Sequence, residues 1–236
     1  MLWQYPYPPL TQGTLLKRYK RFLADIELET GETVTAHCPN TGPMTGVSQV
    51  GSPVLLSHSD NPKRKLAYTW EAIQVDGVWV GVNTALPNRV VKAALEARAI
   101  PELAPYSAVK SEVPYGSDRK SRIDFLLTTP DHPPTYVEVK NTTWTDGPTA
   151  LFPDTVTTRG QKHLRELTAL LPEARAVMLY FINREDCTTF SPGDTTDPEY
   201  GALLRQGVAQ GLEVLPCRFA VTPEGLQYLG LAELVL

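Results

Sequence analysis

The chain has 236 residues, of which 42% are hydrophobic and 20% are charged, and its formal net charge is −4. This length and apolar content suit one large or two modest globular domains. No apolar run approaches the roughly 20 residues that cross a bilayer, and the start MLWQYPYPPL lacks the basic and apolar parts of a secretory signal. We therefore expect a cytoplasmic protein with no membrane partner. The sequence leaves the oligomeric state open.

The three cysteines are odd in number and far apart, at Cys38, Cys187 and Cys217. This spacing favours ordinary reduced thiols over a disulfide framework or a metal cage. Redox chemistry is therefore not expected.

Positive charge is concentrated in the first part of the chain. The first 100 residues carry 10 Lys and Arg against 8 Asp and Glu, whereas the remainder carries 12 against 18. Two basic clusters include or adjoin aromatic residues, and nucleic-acid surfaces need both types because cations neutralise phosphates and rings stack on bases. The clusters are Lys17, Arg18, Tyr19, Lys20 and Arg21, and Lys63, Arg64 and Lys65. We predict contacts with DNA that depend little on its sequence; the alternative is two solvated surfaces.

Short alternating apolar segments separated by turns run from about residue 13 to residue 83. The pair Asp76-Gly77, between two such segments, is typical of a β-hairpin. This region is predicted to form a small β-barrel or sandwich. The segment AHCPNTG, which contains His37 and Cys38, is predicted to be a tight loop, and a position near DNA or a cleft is its functional alternative.

Beyond residue 87 the sequence predicts a mixed order of helices and strands. A helix that Asn88 can cap is predicted first, joining the two parts, and a buried strand is predicted later in the apolar run AVMLYFIN. The resulting fold class is a mixed α/β domain with a central sheet. The predicted helices are 88–100, 159–171 and 198–211, and the predicted strands are 108–115, 122–127, 136–139, 176–183 and 212–221.

Two carboxylates and a lysine stand out in the segment RIDFLLTTPDHPPTYVEVKN. If 122–127 and 136–139 pair as a hairpin, Asp124 lies near Glu138 and Lys140 on one face. Two neighbouring carboxylates repel each other unless a cation lies between them, and oxygen ligands favour Mg²⁺ or Mn²⁺. The carbonyl of Val139 could complete the shell, and Lys140 could orient a water or neutralise charge on a phosphate. A surface salt bridge is the structural alternative.

Further candidate residues are expected around Asp124, Glu138 and Lys140. Glu112 or Glu102 is a candidate for a third acidic metal ligand, and the sequence does not choose between them. The helix that begins RGQKH carries Gln161, Lys162 and His163. We expect His163 to be exposed beside Gln161, where Lys162 and His163 could contact DNA phosphates; a plain surface histidine is the alternative.

Asp124, Glu138, Lys140 and Gln161 together resemble the PD-(D/E)xK nuclease superfamily. The resemblance implies that the Asp and Glu bind the metal, that the Lys assists the water, and that Gln161 supports the site or the phosphate. Ile123 precedes Asp124, so the Pro-Asp pair of that family is missing.

A second resemblance covers nearly the whole chain. The segments RYKRFLAD, HCPNTGPMTG, NPKRKLAYTWE, SRIDFLL, YVEVKN and FPDTVTTRGQKHLREL are similar, in this order, to the sugar fermentation stimulation protein family (SfsA). The resemblance implies an OB-like barrel in residues 1–85, a nuclease-like domain in residues 86–236, DNA binding, and a link to the regulation of sugar metabolism. Three functions remain open: a magnesium-dependent deoxyribonuclease, a non-catalytic DNA-binding regulator, and a metal-site protein that acts on a small phosphorylated substrate.

Overall fold

A closed β-barrel forms the N-terminal part of the computed structural model, which describes residues 2–116 and 121–236. The strands up to residue 81 are β1 (Gln4–Pro6), β2 (Leu10–Tyr19), β3 (Leu23–Leu28), β4 (Thr33–His37), β5 (Pro53–His58), β6 (Tyr68–Val75) and β7 (Val78–Gly81). Six of them form a sheet in the order β4-β3-β2-β5-β6-β7. Because β4 also pairs in parallel with β6, five strands close on themselves. The predicted OB-like barrel is confirmed.

Alternation along the strands fills the barrel. Successive side chains of a strand point to opposite sides, so every second residue can enter the interior. Leu15, Ile26, Leu56 and Trp70 are fully buried there, and the Trp70 indole donates a hydrogen bond of 2.9 Å to the carbonyl of Ala72. The polar end of this large ring is therefore satisfied inside the core.

A mixed sheet forms the rest of the chain, again as expected. Its order is β1-β16-β15-β13-β10-β9-β8, with β10, β13 and β15 parallel. Helices α2 and α3 make the crossovers that parallel neighbours require. The elements are α1 (Pro87–Glu96), a 3₁₀ turn (Pro101–Leu103), β8 (Ala108–Tyr115), β9 (Ser121–Thr128), β10 (Thr135–Thr142), β11 (Thr145–Asp146), β12 (Thr149–Phe152), α2 (Thr158–Thr168), β13 (Arg175–Ile182), β14 (Thr189–Pro192), α3 (Pro198–Ala209), β15 (Glu213–Thr222), β16 (Gly225–Leu231) and β17 (Glu233–Leu234).

Helices cover both faces of this sheet. The apolar residues of α1 pack with Phe125, Val137 and Phe181 on one face. Those of α2 and α3 pack with Met178 and Tyr180 on the other. Strand β13 therefore has apolar partners on both sides, which explains its nearly continuous apolar sequence. A small sheet, β11-β12-β14-β17, lies beside the main one.

The two parts of the chain are joined by more than the linker. Strand β1 pairs with β16, so the first strand belongs to the second sheet. The amide of Gly81 donates to the carbonyl of Asn183, and Asn183 Nδ2 donates back to the carbonyl of Gly81, both at 3.0 Å. A Cβ at Gly81 would collide with the side-chain amide of Asn183, so this close approach requires glycine. The barrel is thereby fixed beside the end of β13.

Membrane-spanning helices are not found: within the described residues, no helix has the length and apolar character to cross a bilayer.

Candidate active site

A hairpin between β9 and β10 places the two predicted carboxylates opposite each other. The strands are antiparallel, with Leu126 opposite Tyr136 and Phe125 opposite Val137. The next step of this register brings Asp124 to Glu138. Regular pairing ends at Val137, and beyond it the amide of Val139 donates to Asp124 Oδ2 at 2.7 Å rather than to the backbone of β9. The Asp124 side chain therefore fills a gap that opens between the two strands.

Asp124 is held from two sides. Its second oxygen, Oδ1, accepts a hydrogen bond of 2.7 Å from Asn88 Nδ2 on α1. Burial and the negative charge of Glu138 together raise the pKa of the Asp124 carboxyl to about 6, against the hydrogen bonds and the Lys140 charge that lower it. The two carboxylates thus repel each other across the gap.

Glu138 lies in a buried cluster with Lys140 and His163. Lys140 Nζ donates to Glu138 Oε1 at 2.7 Å, His163 Nδ1 makes a short hydrogen bond to the same oxygen, and Lys140 Nζ lies 3.2 Å from His163 Nδ1. The exposed fraction of Glu138 is 3%. Burial alone would raise the pKa of Glu138, but the His163 hydrogen bond and the Lys140 charge outweigh it and lower the pKa below its usual value. Glu138 is therefore ionised at neutral pH.

His163 is not where the sequence predicted it. We expected an exposed histidine that could contact phosphate, and that prediction is wrong: its exposed fraction is 4%. The helix α2 buries Gly160, His163, Leu164 and Leu167 along one face, a spacing of three and four residues. His163 shares that stripe and points toward the sheet. Lys162, by contrast, is exposed, and its Nζ donates to Ser121 Oγ at 3.0 Å and lies 3.4 Å from Glu166.

The oxygen atoms of this site suit a hard cation. Glu138 Oε2 is buried and has no hydrogen-bond partner among the described residues, an arrangement that is costly unless a ligand satisfies it. The amide and carbonyl of a strand residue point to the same side, and the Val139 amide points to Asp124, so strand geometry puts the Val139 carbonyl on the side of the gap. Asp124, Glu138 and the Val139 carbonyl therefore fit a divalent ion of the Mg²⁺ type.

Neither glutamate that the sequence offered as a third acidic ligand joins this group. Glu112 lies exposed at an irregular point of β8, with a φ of 55°. Glu102 lies on the 3₁₀ turn near Cys217 and Tyr228, whose pKa values are raised mainly by burial and to a lesser extent by the Glu102 carboxylate. In residues 2–116 and 121–236, no group of three His, Cys, Asp or Glu side chains is placed to hold a metal ion.

Gln161 is turned toward a different carboxylate. Its Nε2 donates to both oxygens of the buried Asp197, at 2.9 and 3.1 Å. Asp197 also accepts from the amides of Thr157 and Tyr200, so it joins the start of α2 to the start of α3. The structure therefore does not bring Gln161 into contact with Asp124 or Glu138.

Comparison with known proteins decides the family. A family model described as "Sugar fermentation stimulation protein RE domain" matches residues 85–225, and one described as "SfsA N-terminal OB domain" matches residues 16–82. This chain belongs to the SfsA family. Sugar fermentation stimulation protein homologs from Synechocystis sp. and Nostoc sp. are both 70% identical to it, over 98% and 99% of each chain. The SfsA fold is also seen in "The structure of Pyrococcus Furiosus SfsA in complex with Ca2+", with a TM-score of 0.88, 23% identity and 98% of each chain covered.

The first basic cluster of this SfsA family member lies on the β2–β3 hairpin. Lys17, Lys20 and Arg21 are exposed, and Lys17 Nζ lies 5.3 Å above the centre of the Tyr19 ring. Arg18 differs from them, because its Nη2 donates to the carbonyls of Arg21, Asn40 and Gly42 at 2.9 to 3.0 Å. Arg18 therefore attaches the hairpin to the loop that follows β4.

The second basic cluster lies on the loop between β5 and β6. Lys63, Arg64 and Lys65 are exposed, and Arg64 Nη2 donates to Thr69 Oγ1 at 2.7 Å. Both clusters thus belong to the barrel, as the sequence indicates, while the carboxylates belong to the α/β part.

Sequence reasoning missed two residues that hold predicted site residues, Asn88 and Asp197, and it wrongly expected His163 to be exposed. Asn88, predicted as a helix cap, lies inside α1 and binds Asp124, while Leu86 occupies the cap position. Nothing in the sequence indicated that Asp197 would contact Gln161; its only feature is that it precedes a proline, which is typical of a helix start. The buried position of His163 could have been found, because it lies one residue before Leu164 and four before Leu167 on the apolar face.

Proposed function

We propose that this protein binds DNA through its barrel and hydrolyses phosphodiester bonds, with Mg²⁺ or Mn²⁺, at Asp124, Glu138 and Lys140. The observation that carries the proposal is the buried pairing of Lys140 with Glu138 beside an Asp124 carboxylate that Glu138 repels. Two electrostatically coupled carboxylates and a lysine at a gap between strands can bind a cation and stabilise charge during a reaction. A surface salt bridge has no such role. The family resemblance to PD-(D/E)xK nucleases supports the same assignment.

Asp124, Glu138 and the Val139 carbonyl would hold the metal ion. A bound divalent cation at such a site supplies Lewis-acid activation of water and of the phosphate. The related protein from Pyrococcus furiosus was solved in complex with Ca²⁺, which prefers the same oxygen ligands and supports a site for hard cations in this family.

The chain's own residues orient the reactants around this position. Asn88 and the Val139 amide fix both oxygens of Asp124. His163 fixes Glu138 through Oε1, which leaves Oε2 free to turn toward a cation. Lys140 places an ammonium beside the carboxylates, where it opposes the negative charge that develops on a phosphate under attack.

DNA would be held first by the barrel. The exposed cations Lys17, Lys20 and Arg21 lie with Phe22, whose exposed fraction is 46%, on one hairpin. Cations and an exposed ring together favour contacts with phosphates and bases. Arg18 hydrogen-bonds this hairpin to the loop at Asn40 and Gly42. The proposed DNA-binding hairpin is therefore connected to the side of the barrel that faces β10.

One observation favours the alternative, a non-catalytic DNA-binding regulator of sugar metabolism genes. Gln161, which the nuclease resemblance assigns to the site, is bound to Asp197 instead. In that case Asp124 and Glu138 would be structural, and the barrel alone would carry the function.

The deciding experiment incubates the purified protein with single-stranded, duplex and branched DNA in Mg²⁺, Mn²⁺, Ca²⁺ or EDTA. The proposal expects cleavage with Mg²⁺ or Mn²⁺ that EDTA and Asp124→Asn abolish. Calorimetry on the same variant should show weaker Mg²⁺ binding, and Mg²⁺ should no longer raise its melting temperature. DNA binding without cleavage under every metal would favour the regulator, and unchanged Mg²⁺ affinity in Asp124→Asn would reject the site.

A further inference from the structure

A polar cleft lies between the barrel and the end of β10. Its volume is about 100 Å³, and it is lined by residues of both parts of the chain and of the linker between them. The lining includes Asn40, Thr84, Asn141, Thr142, Trp144 and Asp154. The Asn40 loop is the one that Arg18 attaches to the basic hairpin, and Thr84 Oγ1 holds it to the linker by donating to the carbonyl of Pro39 at 3.0 Å.

Several polar groups of this cleft have hydrogen-bonding capacity left over. Thr142 is 1% exposed, and its Oγ1 has no partner in the part of the chain that the structure describes. Asn40 Oδ1 and Asn141 Oδ1 accept from Gly42 and Asn183 respectively, which leaves both Nδ2 groups as donors. Asp154 is half-buried, and burial raises its pKa against a hydrogen bond from its own amide. A buried polar atom such as Thr142 Oγ1 is normally satisfied by a ligand or by water.

We propose that this cleft binds one unpaired base of the DNA strand whose phosphodiester lies at Asp124, Glu138 and Lys140, with Trp144 stacking on the base and Asp154 accepting from its exocyclic amino group. The inference rests on the proposed function and specifies its substrate: a strand that is single-stranded or locally unpaired at the site of cleavage.

The cleft has the size and the charge for a base rather than for a phosphate. Pockets that enclose a drug-sized ligand measure roughly 300–1,000 Å³, so 100 Å³ suits a smaller planar fragment. A carboxylate such as Asp154 repels phosphate but accepts hydrogen bonds from amino groups. Trp144 lines the cleft and supplies the aromatic ring on which an unstacked base would stack.

The position along β10 connects the cleft to the proposed chemistry. Thr142 follows Lys140 by two residues on the same face of the strand, a separation of roughly 7 Å. Nucleotides of a stacked strand repeat every ~3.4 Å. A base in the cleft would therefore belong to a nucleotide one or two positions from the phosphate at Lys140.

The chemistry of Asp154 also predicts which bases enter. Cytosine and adenine carry an exocyclic amino group, which can donate a hydrogen bond to a carboxylate. Thymine presents a carbonyl oxygen at the same place, which cannot. The contacts of the basic hairpin with DNA are expected to be independent of its sequence. Any preference for one base at the cleft would add to this sequence-independent binding.

The test compares oligo-dC with oligo-dT by fluorescence anisotropy in EDTA, which prevents cleavage. The wild type should bind oligo-dC about 10- to 100-fold more tightly than oligo-dT, the scale of one hydrogen bond to a charged group. Asp154→Ala should bring the two affinities within about twofold. Trp144→Leu should weaken both by about tenfold, and Trp144→Phe should restore most of the loss because it retains a ring. Glu173→Ala removes an exposed carboxylate elsewhere and should leave the ratio unchanged.

The possible results distinguish the base site from the proposed function. A wild-type ratio near one, or a ratio that Asp154→Ala leaves unchanged, overturns the base site while metal-dependent cleavage of the same oligonucleotides still upholds the proposed function. Failure to bind either oligonucleotide, together with failure to cleave, overturns both. Thermal melting of each variant shows whether it is folded. If Trp144→Leu does not fold, Asp154→Ala alone decides whether the cleft binds a base.

Discussion

His163 and Glu138 meet inside the protein, where His163 Nδ1 hydrogen-bonds to Glu138 Oε1 between α2 and β10. The histidine comes from the helix and the glutamate from the strand, so this contact fixes the helix against the sheet at the candidate metal site. Lys140 Nζ reaches the same oxygen, which concentrates two donors on Oε1 and leaves Oε2 for another partner.

His163→Ala should weaken metal binding without weakening DNA binding. Partners that hold a metal ligand from behind are typically worth 10- to 100-fold in metal affinity, so the Kd for Mn²⁺ measured by calorimetry should rise by about that factor. Anisotropy should find duplex affinity within about twofold of the wild type, because His163 is buried away from solvent.

The matched control for that variant is His132→Ala, at an exposed histidine in the β9–β10 connection. Its Mn²⁺ affinity should equal that of the wild type. Equal affinities in both variants would show that His163 serves packing alone.

The basic hairpin should dominate the salt dependence of DNA binding. Each phosphate contact contributes ~0.9 to the slope of log K against log salt for duplex DNA, so replacing Lys17, Lys20 and Arg21 with Ala should flatten that slope by about two to three. Arg18 is left in place, because its guanidinium supports the Asn40 loop. Lys92→Ala, at an exposed cation on α1, is the control and should keep the wild-type slope. An unchanged slope in the triple variant would place the DNA on another surface.

The sequence was sufficient to predict the hairpin that carries the site. Apolar alternation defined β9 and β10, and their connection limited the register enough to bring Asp124 opposite Glu138. The family resemblance supplied the OB-like barrel, which alternation alone did not separate from a sandwich. The fold class of the second part, a mixed α/β domain with a central sheet, followed from the order of elements.

Other features depended on information that is not local. Strand β1 pairs with β16 more than 200 residues later, and β11 and β17 have two residues each, too few for any period to be visible. Gln161 and His163 lie two residues apart on α2 and point in different directions, so which of them reaches Glu138 depends on how α2 is rotated against the sheet. The positions of Leu164 and Leu167 predict that rotation. The contact of Gln161 with Asp197 could not be predicted in this way, because it depends on the position of α3.

The ion pair between the buried Arg184 and the partly exposed Asp186 should make the protein sensitive to acid. Arg184 donates to both oxygens of Asp186 at 2.6 Å and to the carbonyl of Thr143 at 3.0 Å, behind the polar cleft. Burial opposes ionisation of Asp186, but the Arg184 hydrogen bonds outweigh it and lower its pKa. A carboxyl whose pKa is lower in the folded state stabilises the protein above the unfolded pKa of ~3.9, and this contribution is lost as pH falls through the folded value.

Asp186→Asn should therefore lower the free energy of unfolding by roughly 1 kcal/mol at pH 7, because the buried Arg184 loses its charged partner while solvent screens the partly exposed Asp186. The difference from the wild type should shrink below about pH 4, as followed by urea denaturation across pH. The control is Asp194→Asn, which removes a similar two-point contact with Arg205 at the exposed surface and should cost little at any pH. A pH-independent difference for Asp186→Asn would show that the charge of this pair does not contribute.

Lys140→Ala should separate catalysis from binding. The Lys140 ammonium lies beside Glu138 in the interior, with 13% of its side chain exposed, whereas the proposed DNA grip is on the barrel. DNA affinity measured by gel shift should therefore stay within a few-fold of the wild type. Metal-dependent cleavage should fall by about a hundredfold or more, the scale of removing one group that opposes charge in the transition state. Cleavage at the wild-type rate would remove Lys140 from the mechanism, while parallel losses of binding and cleavage would make it a DNA contact instead.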